Sequence, residues 1–415
     1  MGVPTNIGRF AVKEQSGGWG SPESAFANAN FLECAMTIPA PTMESIQAEV
    51  MRADHFATTR VMNGVGPTEI TLSMPLHGFS SSNPSSNPTE HPDALLLRSA
   101  LGSSSLGGYH ASDLAGGTSA TVEVTDGAGT ANDVGHAILV PPAAGTFHSV
   151  GWIDRLVAAG TPDDYELILP LANAPAASGA IYGSNVIALG PEQPTPFTLQ
   201  YLGGAANLNY RFFDCVVTSA TVSANAREQP TLEVTIRSAN FIPAPTGGLP
   251  SPEVLANRPQ MPSVLGMTGA RAQFGAPVGA FTPGQLSISI TAEVADQITY
   301  STNGLSQFVV NKRIVELSQT VPVEASAGPT MPGSPIATPP GFQLGPMQID
   351  FNNIPGRCVS VLIPAAQVKE SAAIGDSNGL VATTMSVECA QYAGDSTDTG
   401  SVSTPANTAF RIAFL

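Results

Sequence analysis

Charge is what this sequence has least of. Only 12% of its 415 residues are Asp, Glu, Lys or Arg, against about 25% in an ordinary globular chain. Positive charge is scarcest: 16 Lys and Arg stand against 32 Asp and Glu, for a net charge of −16. A protein that grips nucleic acid needs clustered Lys and Arg to neutralise phosphates, so that class is excluded. Cysteine is scarce as well. Cys34, Cys215, Cys358 and Cys389 are far apart and form no CxxC pair, which excludes a disulfide framework and points to four reduced thiols in a cytoplasmic setting. Of the six histidines, none pairs with another His or a Cys at ligand spacing, so no metal site and no cofactor are expected. Long apolar runs are missing too. The longest charge-free stretches, 167–191 and 325–349, are broken by Pro, Gly, Ser or Asn, whereas a membrane span needs about 20 mostly apolar residues in a row. No membrane insertion is expected, and the first ten residues do not read as a secretory signal. Disorder is excluded by a hydrophobic content of 42%, because disordered chains combine low hydrophobicity with dense charge.

What is present reads mostly as β-strand. Glu69 to Leu76, Thr121 to Thr125, Thr231 to Arg237 and Gln285 to Ala292 alternate polar and apolar residues with period two and are rich in β-branched side chains. That pattern predicts half-buried antiparallel strands. Pro75 marks an edge strand or a strand end. Helix is expected over His91 to Leu101, with an early Pro, Asp93 in the first turn and Gly102 as a stop. A second, weaker helical segment is Ala365 to Ala372.

Length suggests about two or three domains. The expected division is an N-terminal arm at 1–27, a first β domain at 28–245, a Pro-rich linker at 246–262 and a second β domain at 263–415. The first domain carries an acidic insertion around 103–190: between Ser99 and Tyr210 the only base is Arg155, against Asp113, Glu123, Asp126, Asp133, Asp154, Asp163, Asp164, Glu166 and Glu192. The halves share an order of strand, long excursion, Cys-Val strand, turn and strand, with Cys215 and Cys358 in corresponding places. The tracts Ser80–Pro88, Pro243–Pro262 and Glu324–Gly345 read as loops. Loops of that length are unusual in compact domains unless functional, and neighbouring subunits are expected to order them. The arm Gly2 to Ala27, rich in Gly and Ser, is expected to need a neighbour for the same reason. Its Trp19 is either an interface anchor or the cover of a small cluster on its own subunit.

The search for chemistry yields little. Gly375-Asp-Ser-Asn-Gly379 fits the GxSxG nucleophile elbow as a string. It lies, however, before a strand rather than between strand and helix, and no His follows it; turn chemistry explains it better. Asp163, Asp164 and Glu166 could form a carboxylate cluster for Ca²⁺ or acid–base work, but an Asp pair after Gly160-Thr-Pro162 more often closes a turn. No catalytic residues are assigned, and an enzyme is not expected.

The order of pieces resembles the tail tube proteins of long-tailed bacteriophages. The likeness runs through Phe10-Ala-Val-Lys-Glu-Gln-Ser-Gly-Gly-Trp-Gly20, Met43 to Arg52, Pro67 to Gly78, Pro92 to Gly102, Arg211 to Val222 and Gln229 to Arg237, about half of the chain in pieces. It implies a mainly β fold of tail-tube-type antiparallel sandwich or barrel domains with a short flanking helix, in tandem. The implied function is self-assembly into stacked rings, hexameric or trimeric and pseudo-hexameric. Those rings form a hollow tube in the virion tail, built in the bacterial cytoplasm with other tail proteins, through which DNA passes without specific binding. Low charge suits contacts that must be desolvated, and an acidic excess suits a conduit that repels phosphate. The long acidic stretch and the extended C-terminal half depart from the family pattern. The alternative is a β-sandwich tail adaptor, decoration or receptor-binding module.

Overall fold

The computed structural model describes residues 9–27, 30–32, 34–35, 43–47, 61–78, 92–102, 113–125, 133–143, 147–160, 162–202, 209–225, 228–243, 267–273, 279–281, 284–298, 305–322, 344–369, 373–377, 380–390 and 408–415. The tract Ser80–Pro88, the linker 246–262, Asp126 and nearly all of the Glu324–Gly345 tract lie outside these residues.

The chain opens with β1 (Arg9–Glu14), β2 (Phe31–Leu32), β3 (Met43–Gln47), β4 (Val61–Val65), β5 (Thr68–Pro75) and helix α1 (Pro92–Leu101). Six short strands follow: β6 (Asp113–Gly117), β7 (Thr121–Val124), β8 (Ala137–Val140), β9 (Ser149–Ala158), β10 (Asp163–Leu167) and β11 (Gly179–Ala180). Then come β12 (Asn185–Ala188), β13 (Phe197–Leu202), β14 (Asn209–Asn225), β15 (Thr231–Pro243), β16 (Met267–Ala272), β17 (Gly279–Phe281), β18 (Gln285–Ile298) and β19 (Leu305–Pro322). The last are β20 (Leu344–Phe351), β21 (Val359–Val368), β22 (Ala373–Ser377), β23 (Leu380–Cys389) and β24 (Arg411–Phe414). The fold is mainly β, as the alternation predicted, and all four strands read from it are present.

Sixteen strands join in one antiparallel sheet. β14, 17 residues long, pairs with β15 along most of its length, and β15 pairs in turn with β5. The other edge of β14 is divided: Asn209 to Cys215 face β13, and Ser219 to Asn225 face β18. From β13 the sheet runs to β1 and β2; from β18 it runs through β19 and β23 to β21, β20, β16 and β17. β24 lies inside the sheet, between β21 and β12. Segments 28–245 and 263–415 thus meet in a continuous ladder and share a core, which takes Leu72 and Phe212 from the first and Ile288, Ile349 and Phe414 from the second. Pairing order differs between the halves. β15 lies directly beside β5, whereas β19 stands between β23 and β18.

Two local expectations are corrected. Residues 9–14 are not an arm awaiting a neighbour: they form β1, with Phe10 and Val12 in the main core and Ala11 against Phe26 and Phe31 on the opposite face. Their alternation, short as it is, has a partner in β13. Ala365 to Val368 belong to β21 rather than to a helix. The ladders with β20 and β23 override the helical preference of Ala and Gln. Pro364, which has no N–H to donate, falls at an irregularity between the Gly345 and Met347 pairings.

Helix α1 is buried nearly all round, only Arg98 being partly exposed, as befits a helix apolar on every side. Its start is tied to the end of β5 by a 2.7 Å contact between His77 Nδ1 and Asp93 Oδ2, both residues being buried. In mid-helix, Ser99 Oγ accepts the Val217 N–H at 3.2 Å, beside an irregularity in the β14–β15 ladder between Val217 and Ser219. At its end Gly102 takes φ +63°, and a Cβ there would sit 2.2 Å from the Arg313 guanidinium carbon. That guanidinium donates to the Ala100 carbonyl at 3.0 Å and the Gly190 carbonyl at 3.3 Å, satisfying a helix-end acceptor.

The acidic stretch forms a separate unit. Six strands run in the order β11–β6–β7–β10–β9–β8. Leu139 and Tyr182 then exchange both backbone hydrogen bonds, at 2.9 and 3.1 Å, which brings the chain after β11 against β8 and nearly closes a barrel. Val122, Val124, Ile138, Val140, Tyr165 and Leu167 are among the residues filling its interior. β8 is buried on both faces: Ile138 and Val140 face inward, while Ala137 and Leu139 join Trp152, Val186, Leu362 and Ala413 in a second core against the main sheet.

A polar hub crosses this junction. Asp350 is buried beside Arg271, Gln348 and Ser360. Ser360 Oγ donates to Asp350 at 2.7 Å and accepts the Trp152 indole N–H at 3.0 Å. Gln348 donates to both Asp350 oxygens, at 2.8 and 3.0 Å, and to the Val150 carbonyl at 3.2 Å. Arg271 donates to the Val150 carbonyl at 2.8 Å and to the Pro170 carbonyl. The sheet thereby satisfies three polar groups of the barrel that burial would otherwise strand.

Two outcomes are expected. Gly102→Ala should lower stability by about 1–3 kcal/mol through backbone strain alone, and more if Arg313 is displaced, as measured by urea unfolding. Burial holds the Asp350 carboxyl above its ordinary 3.8, against the pull of Arg271. The folded state therefore binds the proton more tightly than the unfolded one. The stability this group contributes is full below 3.8 and is lost as pH rises through the raised value. Relative to Asp350→Asn, the wild-type protein should lose ground as pH rises above 3.8; urea midpoints of the two proteins that rise together with pH would contradict it.

Candidate assembly surface

The N-terminal turn is fixed by its own chain. Asp214, at φ 55°, is a kink in β14, where the ladders to β13 and β15 both skip a residue. Its backbone N–H donates to Gln15 Oε1 at 2.7 Å. Its carboxylate accepts from Gln15 Nε2 at 3.0 Å, the Gly20 N–H at 2.7 Å and Asn240 Nδ2 at 2.9 Å. Glu23 closes the turn from the other side, accepting from Ser16 N at 2.9 Å, Ser16 Oγ at 2.6 Å and Lys13 Nζ at 2.9 Å.

Trp19 rides on this turn. It is partly buried and packs on Val216, Ala239 and Phe308, meeting the Phe308 ring edge-on at 6.1 Å. Of the two readings of Trp19, the structure displays the cover of a cluster on its own subunit. Phe308 comes from the β18–β19 hairpin, and the Arg237 guanidinium lies 5.3 Å from its centroid. Sequence reasoning missed Phe308, Arg237 and Asp214. A turn string such as Gln-Ser-Gly-Gly-Trp tells that an anchor exists, but not which distant strand receives it.

In the main sheet β2, β12, β17 and β22 each have a ladder partner on one edge only among the described residues. Such edges are templates for another chain. Two exposed apolar side chains, Phe147 and Ile354, sit on adjoining loops joined by the His148 N–H to the Asn353 carbonyl at 3.2 Å. The Ile354 loop is tightly folded, with Asn352 at φ 50° and Gly356 at φ 75°.

The carboxylates read as a possible cluster are separated. Asp163 is buried and accepts the Gly160 N–H at 2.8 Å, closing the turn. Asp164 and Glu166 alternate to the opposite face of β10; Glu166 pairs with Arg155, and Asp164 stands across from Glu123. Asp133 accepts the Tyr165 hydroxyl at 2.9 Å, and Asp113 and Glu192 are exposed. Among the described residues no group of three or more His, Cys, Asp or Glu is placed to hold a metal ion. Gly375, Asp376 and Ser377 of the GxSxG string lie in β22, where Ser377 pairs with Leu380 of β23, so the string joins strand to strand and not strand to helix; its Asn378 and Gly379 lie outside the described residues. Cys215, Cys358 and Cys389 carry free thiols. Burial pushes the Cys215 and Cys389 thiols up to about 12 and Cys358 well above its ordinary value, so none supplies a thiolate near neutral pH.

The chain matches no protein-family model and no curated protein sequence.

Hydrogen bonds led by the Ser16 hydroxyl, with Lys13, draw the Glu23 carboxyl from 4.5 down to about 2. A depressed carboxylate contributes stability that is full above 4.5 and is lost as pH falls through about 2. Acrylamide should therefore quench Trp19 increasingly over that interval, against a background from buried Trp152. Glu23→Gln should show the loosened state already at neutral pH and a smaller change in quenching over that interval.

Proposed function

We propose that this chain is a structural subunit of a bacteriophage tail tube, self-assembling into stacked rings around a passage for DNA. One observation carries the reading: a single broad antiparallel sheet, crossed by a buried helix, ends in strand edges that have no ladder partner among the described residues. A mainly β fold with a short helix against the sheet is what the sequence resemblance implies, in a chain whose contacts carry few charges to desolvate. Two tube-type units in tandem, 28–245 and 263–415, would make a ring of three subunits pseudo-sixfold; one unit per chain would call for six subunits. The acid excess fits a conduit that repels phosphate. Seven of the nine acids counted between Ser99 and Tyr210 lie in the barrel strands or their described connections, so the placement of the barrel decides whether bore or outer surface is negative. No helix among the described residues is long and apolar enough to cross a membrane.

A second reading has its own support. The near-closed barrel has its own core, and such an inserted unit suits a tail adaptor, decoration or receptor-binding module. Negative-stain electron micrographs of the purified protein discriminate between them. The tube reading expects rings or hollow filaments with sixfold or pseudo-sixfold symmetry. A small oligomer that never stacks would sink it, and a bore lined mainly by Arg and Lys would sink the repulsive conduit.

A further inference from the structure

The β18–β19 hairpin has two parts with different attachments. Residues 285–291 are welded to β14, and 316–322 to β23. Between these limits and residues 298 and 305, β18 and β19 have only each other as ladder partners among the described residues. The ladder is interrupted at this boundary. Glu293 pairs with Lys312 and Val294 with Val310, leaving Asn311 as an extra residue, a bulge that bends the ribbon. Just below the bulge, Arg313 is fixed to the Ala100 and Gly190 carbonyls. The boundary therefore has an anchored side and a bent side.

Beyond it, side chains hold the hairpin to the sheet. Phe308 lies on Val216, Ala239 and Trp19. Arg237 donates to Asp296 at 3.0 Å. The Gln193 amide bonds Val310 twice, accepting its N–H at 2.9 Å and donating to its carbonyl at 3.1 Å, which fills one ladder position with a side chain. Partly exposed ion pairs contribute little, and few apolar side chains join this contact. Segments with sparse buried contacts open at lower free energy than the core around them.

We infer that the distal hairpin, residues 292–298 and 305–312, is a hinged cover that opens at Asn311 without unfolding the subunit, and that opening bares the Trp19–Val216–Ala239 face to a second copy of this chain. The closed form is then an autoinhibitory contact. Its role in assembly rests on the self-assembly reading above; the hinge itself does not.

The two tryptophans report on it separately, because Trp152 is locked in the barrel junction. Protein labelled with 5-fluorotryptophan should show microsecond-to-millisecond exchange for Trp19 and none for Trp152, with an open population of roughly 0.1–10%. Gln193→Ala and Phe308→Ala should move the Trp19 resonance toward the open value, leave Trp152 in place, and increase self-association over wild type at equal concentration by light scattering. Gln193 is exposed, so its variant remains informative if Phe308→Ala folds poorly. A Trp19 signal without exchange that neither variant shifts would overturn the hinge. So would variants that move both tryptophans together. Opening without greater self-association would overturn the role as a cover. Failure of the tube reading is seen separately, as wild-type protein that forms no rings while the Trp19 exchange persists.

Discussion

A long strand must find hydrogen-bond partners on both of its edges, and no single neighbour of β14 runs its full length. Buried backbone groups left unpaired are costly. The second edge is therefore divided between β13 and β18, and the division falls where β14 is irregular. Each irregularity is put to use. The kink at Asp214 gathers the N-terminal turn, and the break near Thr218 sends the Val217 N–H to Ser99 on the helix. The same division joins the two halves of the chain, since β18 opens the path to all of the later strands.

The barrel is attached by a different kind of contact. Its β8–β9 face is apolar, but the hydrogen bonds that orient it pass through the Asp350 hub. Apolar packing is nearly indifferent to small rotations, whereas a carboxylate, a guanidinium and an indole N–H fix direction. The buried charges weaken as well as orient the joint, because removing them from water is expensive. The raised Asp350 carboxyl reflects that expense.

Much of the fold could be read locally. Period-two alternation found β5, β7, β15 and β18, and Pro92, Asp93 and Gly102 bounded the helix within one residue. The acidic stretch stood out by composition before it proved to be a barrel. Partner choice was not legible, because a strand's neighbours are selected by the whole sheet rather than by its own sequence. Gln348 and Asp350 illustrate the limit: as polar positions of an alternating strand they look like its wet face, yet the barrel covers them. Ala365 to Val368 illustrate another, where local helical preference yields to two ladders. Trp19 was legible as an anchor, but its seat on Phe308 depended on a hairpin far along the chain.

The position of β24 has a kinetic consequence. It is an interior strand whose two neighbours, β12 and β21, come from opposite halves of the sequence, and it follows both in chain order. Until it arrives, two apolar strands that end up side by side with it must keep open edges. Contacts so distant in sequence pay loop-closure entropy before they return any binding. Until β24 pairs, a gap wide enough for one strand separates β12 from β21. Such a gap is a docking slot for any passing β-segment, so the speed with which β24 fills it governs the yield of soluble protein.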